Sequence, residues 1–117
     1  MRDTVSFFRA VAEETRLNML WLLLNKRELC VCDLMEVLRI PQSKASRHLR
    51  TLYNAGLVTV RREGLWAHYS VGAQLDSAAR SQLEALRASL SKNEDARALL
   101  VKLETWLKHK KSKTRCS

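Results

Sequence analysis

Apolar residues recur along this chain with a helical period, change to a strand-like pattern after Gly56, and return to the helical period near Leu75. Residues 4–12 put Val5, Phe8 and Val11 or Ala12 on one face of a short helix. From Thr15 to about Asn25, Leu17, Leu20, Trp21 and Leu24 form one stripe, while Met19, Leu22 and Leu23 cover another side. A helix apolar over that much of its surface belongs at the centre of a core. A short helix from Cys32 or Asp33 to about Leu38 follows, with Leu34, Val37 and Leu38 inward. Asp33 and Glu36 suit its positive N-terminal end.

Arg39-Ile40-Pro41 is a tight connection into a helix over residues 41–54. Pro41 fits its first turn and Gly56 its stop. Ala45, Leu49, Leu52 and Tyr53 share one face of it; Ser43, Arg47, Arg50 and Asn54 share the opposite face. Two short helices joined this closely predict a helix-turn-helix unit. Leu57 to Val60 and Leu65 to Val71 then read as two strands, with Glu63-Gly64 as the turn. A hairpin directly behind a helix-turn-helix predicts a winged helix-turn-helix, a mainly α fold with a β-hairpin wing. The wing must pack on the helical body to be stable. Leu75, Ala79, Leu83, Leu86 and Leu90 predict a further helix, and Ala96, Leu99, Leu100, Leu103, Trp106 and Leu107 a last one. The first helix and these two carry more apolar surface than so small a domain needs, which points to a homodimer through the N- and C-terminal helices.

At 117 residues the chain fits one domain, expected over residues 1–108 with a basic, flexible tail at 109–117. Its longest apolar run, Met19 to Leu24, is too short to span a membrane. Charges near the start, at Arg2, Asp3 and Arg9, do not resemble a signal peptide. A cytoplasmic location is expected. The net charge of +9 is concentrated in two blocks. Residues 41–72 carry Lys44, Arg47, Arg50, Arg61 and Arg62 against Glu63, and residues 101–117 carry six basic residues against Glu104. A localised basic patch points to a polyanion. Double-stranded DNA is the expected partner, with Gln42, Ser43, Lys44, Ser46, Arg47, His48 and Arg50 on the helix and Arg61 and Arg62 on the wing as candidate contacts. Arg47 points most directly outward. His48 borders the apolar face and is as readily a packed histidine. Trp21, Trp66 and Trp106 read as core or interface residues.

The cysteines are Cys30, Cys32 and Cys116, an odd number that does not fit a disulfide framework. Two cysteines spaced i, i+2 diverge by about 200° on a regular helix but share a face of an extended segment. If the helix begins at Cys32 or Asp33, the two sulfurs converge beside its N-terminus, which favours thiolate. Soft ions and trivalent arsenic or antimony take such sulfur donors. The plain alternative is two small buried apolar side chains. The chain has no convincing catalytic triad, phosphate loop or carboxylate pair, so an enzyme is not expected.

Glu28-Leu29-Cys30-Val31-Cys32-Asp33-Leu34, Ser46-Arg47-His48-Leu49, Ala55-Gly56-Leu57-Val58 and the stretch from Arg61 to Tyr69 occur in an order and spacing that resembles the ArsR/SmtB family, most of all its arsenic-responsive branch. The resemblance covers about residues 4–90. It implies a homodimeric winged-helix repressor that leaves its operator when a thiophilic metal or metalloid binds, with As(III) or Sb(III) as inducer and no permanent cofactor. Cys30 and Cys32 are the implied metal ligands, and Cys116 is a third possibility. Relatives with this stretch often carry a further cysteine where this chain has Met35. Water, hydroxide or a small thiol are other third ligands. No histidine lies in residues 73–100, where zinc-binding members carry theirs. Competing readings are a thiol redox sensor or a soft divalent metal sensor of the same fold, and a metal-scavenging protein whose basic surface serves solubility alone.

Overall fold

The computed structural model describes residues 1–72 and 75–111. Helices α1 (Arg2–Val11) and α2 (Glu14–Leu24) open the chain. A two-residue strand β1 (Leu29–Cys30) leads into α3 (Val31–Leu38), and α4 (Gln42–Asn54) follows. Strands β2 (Val58–Glu63) and β3 (Trp66–Val71) form the hairpin, and α5 (Ser77–Leu90) and α6 (Glu94–Lys111) complete the described fold. The predicted helices and hairpin are all present. What the hydrophobic pattern does not reveal is β1, because two residues are too few to establish an alternation.

That strand matters for the site. It pairs antiparallel with β3, Leu29 opposite Tyr69 and Cys30 opposite His68, so the sheet has the order β1-β3-β2. The wing is thereby tied to the segment carrying the cysteines. Gly64 sits at φ 61° in the hairpin turn and Gly56 at φ 79° after α4, a left-handed conformation that strains any residue with a Cβ.

Helix α2 is the centre of the core, as its all-round apolarity requires. Met19, Leu20, Trp21, Leu22 and Leu23 are consecutive and all buried. Leu34 of α3, Leu49 and Leu52 of α4, Leu57, and Leu103 of α6 close around it. Burying a leucine side chain stabilises by roughly 1.5–3 kcal/mol, so this cluster fixes how α3 and α4 lie against each other.

Helix α6 folds back onto α2 and α3 of its own chain. Trp21 Nε1 donates to the Ala96 carbonyl at 2.7 Å, and Lys26 Nζ pairs with Glu104 at 2.9 Å. The helix continues through Lys111, past residue 108, after which the sequence alone suggests a tail. Its order has a tertiary cause, since the Lys110 ammonium is anchored by Asp33. Outward apolar side chains remain on other helices: Val5 and Phe8 of α1 are 45% and 50% exposed. No helix of the described residues is long and apolar enough to cross a membrane.

Candidate functional site

The two cysteines straddle the junction of β1 and α3. Cys30 ends the strand and serves as the N-cap of the helix, with extended backbone at φ −88° and ψ 166°, and Cys32 is in the first turn. The change from extended to helical backbone cancels the divergence expected within a helix, and the sulfurs approach to 3.6 Å. A disulfide bond is about 2.05 Å long, so this is a non-bonded contact. Two sulfurs each ~2.3 Å from one metal at a tetrahedral angle stand ~3.8 Å apart. The observed spacing corresponds to a slightly narrower angle, as at a pyramidal trivalent centre.

Asp33 lies directly behind the pair and is buried. Its Oδ2 accepts from the Cys30 backbone N–H at 2.9 Å, as an acidic residue in a first helical turn can. Its Oδ1 accepts from Trp106 Nε1 at 2.8 Å and from Lys110 Nζ at 2.7 Å, both on α6. Lys110 Nζ also stands 3.8 Å from Cys30 Sγ. The Cys30 and Cys32 sulfurs and an Asp33 oxygen lie within 4.8 Å of one another.

On their other side, Cys30 and Cys32 line a cavity of about 770 Å³ whose wall includes Ser46 and Arg50 of α4 and Arg62 and Trp66 of the hairpin. Gln42, Ser43, Arg47 and Arg50 are exposed along α4, and Lys44 and Ser46 are partly so. His48 belongs to the opposite side. It is buried, and its Nδ1 accepts from the Arg16 guanidinium at 3.1 Å, with Glu13 3.9 Å away. A guanidinium can only donate, so the imidazole is neutral with its proton on Nε2. Burial pushes its pKa down, and the neighbouring Glu13 only partly offsets this. The side chain of His48, one of the candidate DNA contacts, thus packs between α4 and α2. The wing arginines also separate. Arg61 makes a two-pronged pair with Glu28, 2.9 Å on each arm, which holds the Glu28 carboxyl below the usual carboxylate range. Arg62 is exposed beside the cavity. Cys116 lies outside the described residues.

The model of the arsR family of bacterial regulatory proteins matches residues 13–60. A solved structure described as a possible transcriptional regulator for arsenical resistance is 33% identical, covers 80% of this chain and 93% of its own, and superposes with a TM-score of 0.57. The chain belongs to the ArsR family. This is a family of transcriptional regulators, not of enzymes. The AntR antimony-specific transcriptional repressor is 26% identical, with 79% of this chain and 80% of that one covered and a TM-score of 0.63. The arsenical resistance operon repressor of Escherichia coli is 42% identical over 71 residues, 61% of each chain. The first curated relatives are matched over about half to three-fifths of their own length, from 48% to 61%.

The matched segment of this ArsR-family chain runs from α2 into β2 and so includes both cysteines and Asp33. Trp106 and Lys110 lie outside it, and the sequence alone assigns neither to the site. Asp33 reads there only as a favourable helix charge, and Trp106 as a packing residue. The one signal for Lys110 is its spacing: Leu103, Trp106 and Lys110 follow one another on a single face of α6.

Proposed function

We propose that this chain is a DNA-binding repressor that acts as a homodimer and leaves its operator when trivalent arsenic or antimony binds Cys30 and Cys32. Family membership supports the repressor reading, and relatives named for arsenical resistance and for antimony support the class of inducer. The observation that carries the inducer site is the approach of the two sulfurs to 3.6 Å at the edge of a cavity shared with α4.

Arsenous acid is neutral, As(OH)₃. Each thiol gives its proton to a leaving hydroxide, so two As–S bonds form, two As–O bonds break and two waters depart. One hydroxide stays on arsenic unless Cys116 replaces it. The product sits between α3, α4 and the hairpin, against Ser46 and Arg50. DNA requires α4 and the wing to be set at one fixed spacing, with Gln42, Ser43, Lys44, Ser46, Arg47 and Arg50 on the helix and Arg61 and Arg62 on the wing facing the duplex. A ligand that prefers any other spacing lowers DNA affinity by its differential affinity for the two states. The exposed Val5 and Phe8 of α1 offer the dimer apolar surface.

The test is binding of the reduced protein to a labelled palindromic operator fragment as arsenite, antimonite or cadmium is added, with Cys30→Ser, Cys32→Ser and Cys116→Ser beside it. Release by arsenite that disappears in the first two variants is the expected result. Release only on oxidation favours the redox sensor. Equal binding to random DNA at matched salt favours the scavenger.

A further inference from the structure

Two cysteine sulfurs and a carboxylate within 4.8 Å form a donor set for zinc or cadmium as readily as for a metalloid. In this chain a cation already stands there. Lys110 Nζ is 2.7 Å from Asp33 Oδ1 and 3.8 Å from Cys30 Sγ. The same Oδ1 accepts from Trp106 Nε1, and Oδ2 accepts from the Cys30 N–H. Both carboxylate oxygens are engaged. The Lys110 side chain is 22% exposed and that of Asp33 only 3%, so little water is present to weaken their pairing. A divalent ion that took Cys30, Cys32 and Asp33 together would have to displace Lys110 and break its contact.

A neutral metalloid hydroxide faces no such demand. It exchanges hydroxide for thiol without a change in net charge or oxidation state, reaches the sulfurs from the cavity, and needs no carboxylate. Lys110 and Asp33 are not among the residues lining that cavity. We propose that Lys110 is a specificity residue: its ammonium, held by Asp33 beside Cys30, closes the carboxylate side of the thiol pair to divalent cations and leaves the cavity side to trivalent hydroxides of arsenic or antimony. This rests on the reading of Cys30 and Cys32 as the inducer site.

The experiment titrates the reduced full chain with cadmium chloride and with arsenite, following the ultraviolet charge-transfer absorbance of metal-bound thiolate, with a competing chelator to place the cadmium affinity. Lys110→Gln is expected to raise cadmium affinity by roughly tenfold or more, the scale of removing one like charge a few ångströms from the ion. The change for arsenite is much smaller. Lys110→Arg, which keeps the charge, leaves cadmium weak. Labelling of amines in the unsubstituted protein, read by mass spectrometry, gives a second measure that does not depend on a variant folding. Lys110 stays protected with arsenite bound and becomes reactive when cadmium saturates the site. Unchanged cadmium affinity in a folded Lys110→Gln, or identical Lys110 labelling with both ions, overturns the specificity role alone when arsenite still binds through the thiols. Arsenite binding unaffected by Cys30→Ser and Cys32→Ser overturns the inducer site and this inference together.

Discussion

Trp106 Nε1 donates a 2.8 Å hydrogen bond to Asp33 Oδ1, joining two residues 73 positions apart. The bond fastens the C-terminal helix to the first turn of α3, where Cys32 and its neighbour Cys30 lie. Any movement of that turn is therefore felt by α6, and the position of α6 decides whether Lys110 stands beside the thiols.

Replacing Trp106 by Phe keeps most of the apolar ring and deletes the donor. Hydrogen bonds to charged groups contribute about 1.5–3 kcal/mol. Trp106→Phe is expected to lose stability within that range, because Asp33 keeps Lys110 and the Cys30 N–H as partners. Urea unfolding followed by circular dichroism measures it. A loss under about 0.5 kcal/mol, the usual scale of an inert surface change, rules out a contributing bond.

Arg61 and Arg62 are adjacent in sequence and differ in engagement. Arg61 is neutralised by Glu28, whereas Arg62 stands exposed by the cavity. Each phosphate contact contributes about 0.9 to the slope of log affinity against log salt. Arg62→Ala should lower the magnitude of that slope by about this amount for operator binding, and Arg61→Ala by less. Glu28→Gln should strengthen binding by releasing Arg61. Equal slopes for both arginine variants mean that the Glu28 pair opens on DNA.

Acid sensitivity is expected from His48. Burial depresses its pKa in the fold, so below about 6.5, the ordinary imidazole value, the unfolded chain takes up a proton that the folded chain resists. Its contribution to stability is complete above that pH and is lost as pH falls through the lower, folded value. Glu13 and Arg16 face the ring from α2 and its N-cap, and Arg47 and Lys44 act on it from α4. His48→Gln should flatten the stability profile in this window, measured by urea midpoints at a series of pH values. A profile as steep as that of the unsubstituted chain assigns the acid loss to carboxylates such as Glu13, whose pKa is also lowered.

Much of the fold was legible because its elements are amphipathic over several turns. Leu17, Leu20, Trp21 and Leu24 mark α2, and Ala45, Leu49 and Leu52 mark α4, through spacings set by the backbone's own period. The convergence of Cys30 and Cys32 was expected for a helix beginning at Cys32 or Asp33; α3 begins one residue earlier, at Val31, and Cys30 still lies outside it. What keeps Cys30 extended is β1, a strand stabilised by its partner β3 rather than by any propensity of its own two residues. The same limit applies to His48. Its place at the border of the apolar face was readable, but the Arg16 contact that holds it there spans 32 positions.

The sequence by itself determined the winged helix-turn-helix order, the basic face of α4 and the cysteine pair, because each depends on neighbours within a few residues. Only the tertiary structure decided that α6 folds back to bring Trp106 and Lys110 onto Asp33, that Arg61 is held by Glu28, and that the thiols and α4 share one cavity. Local spacing encodes which face of an element is apolar. Which distant charge meets a buried carboxylate is settled when the core closes and that carboxylate must find its donors.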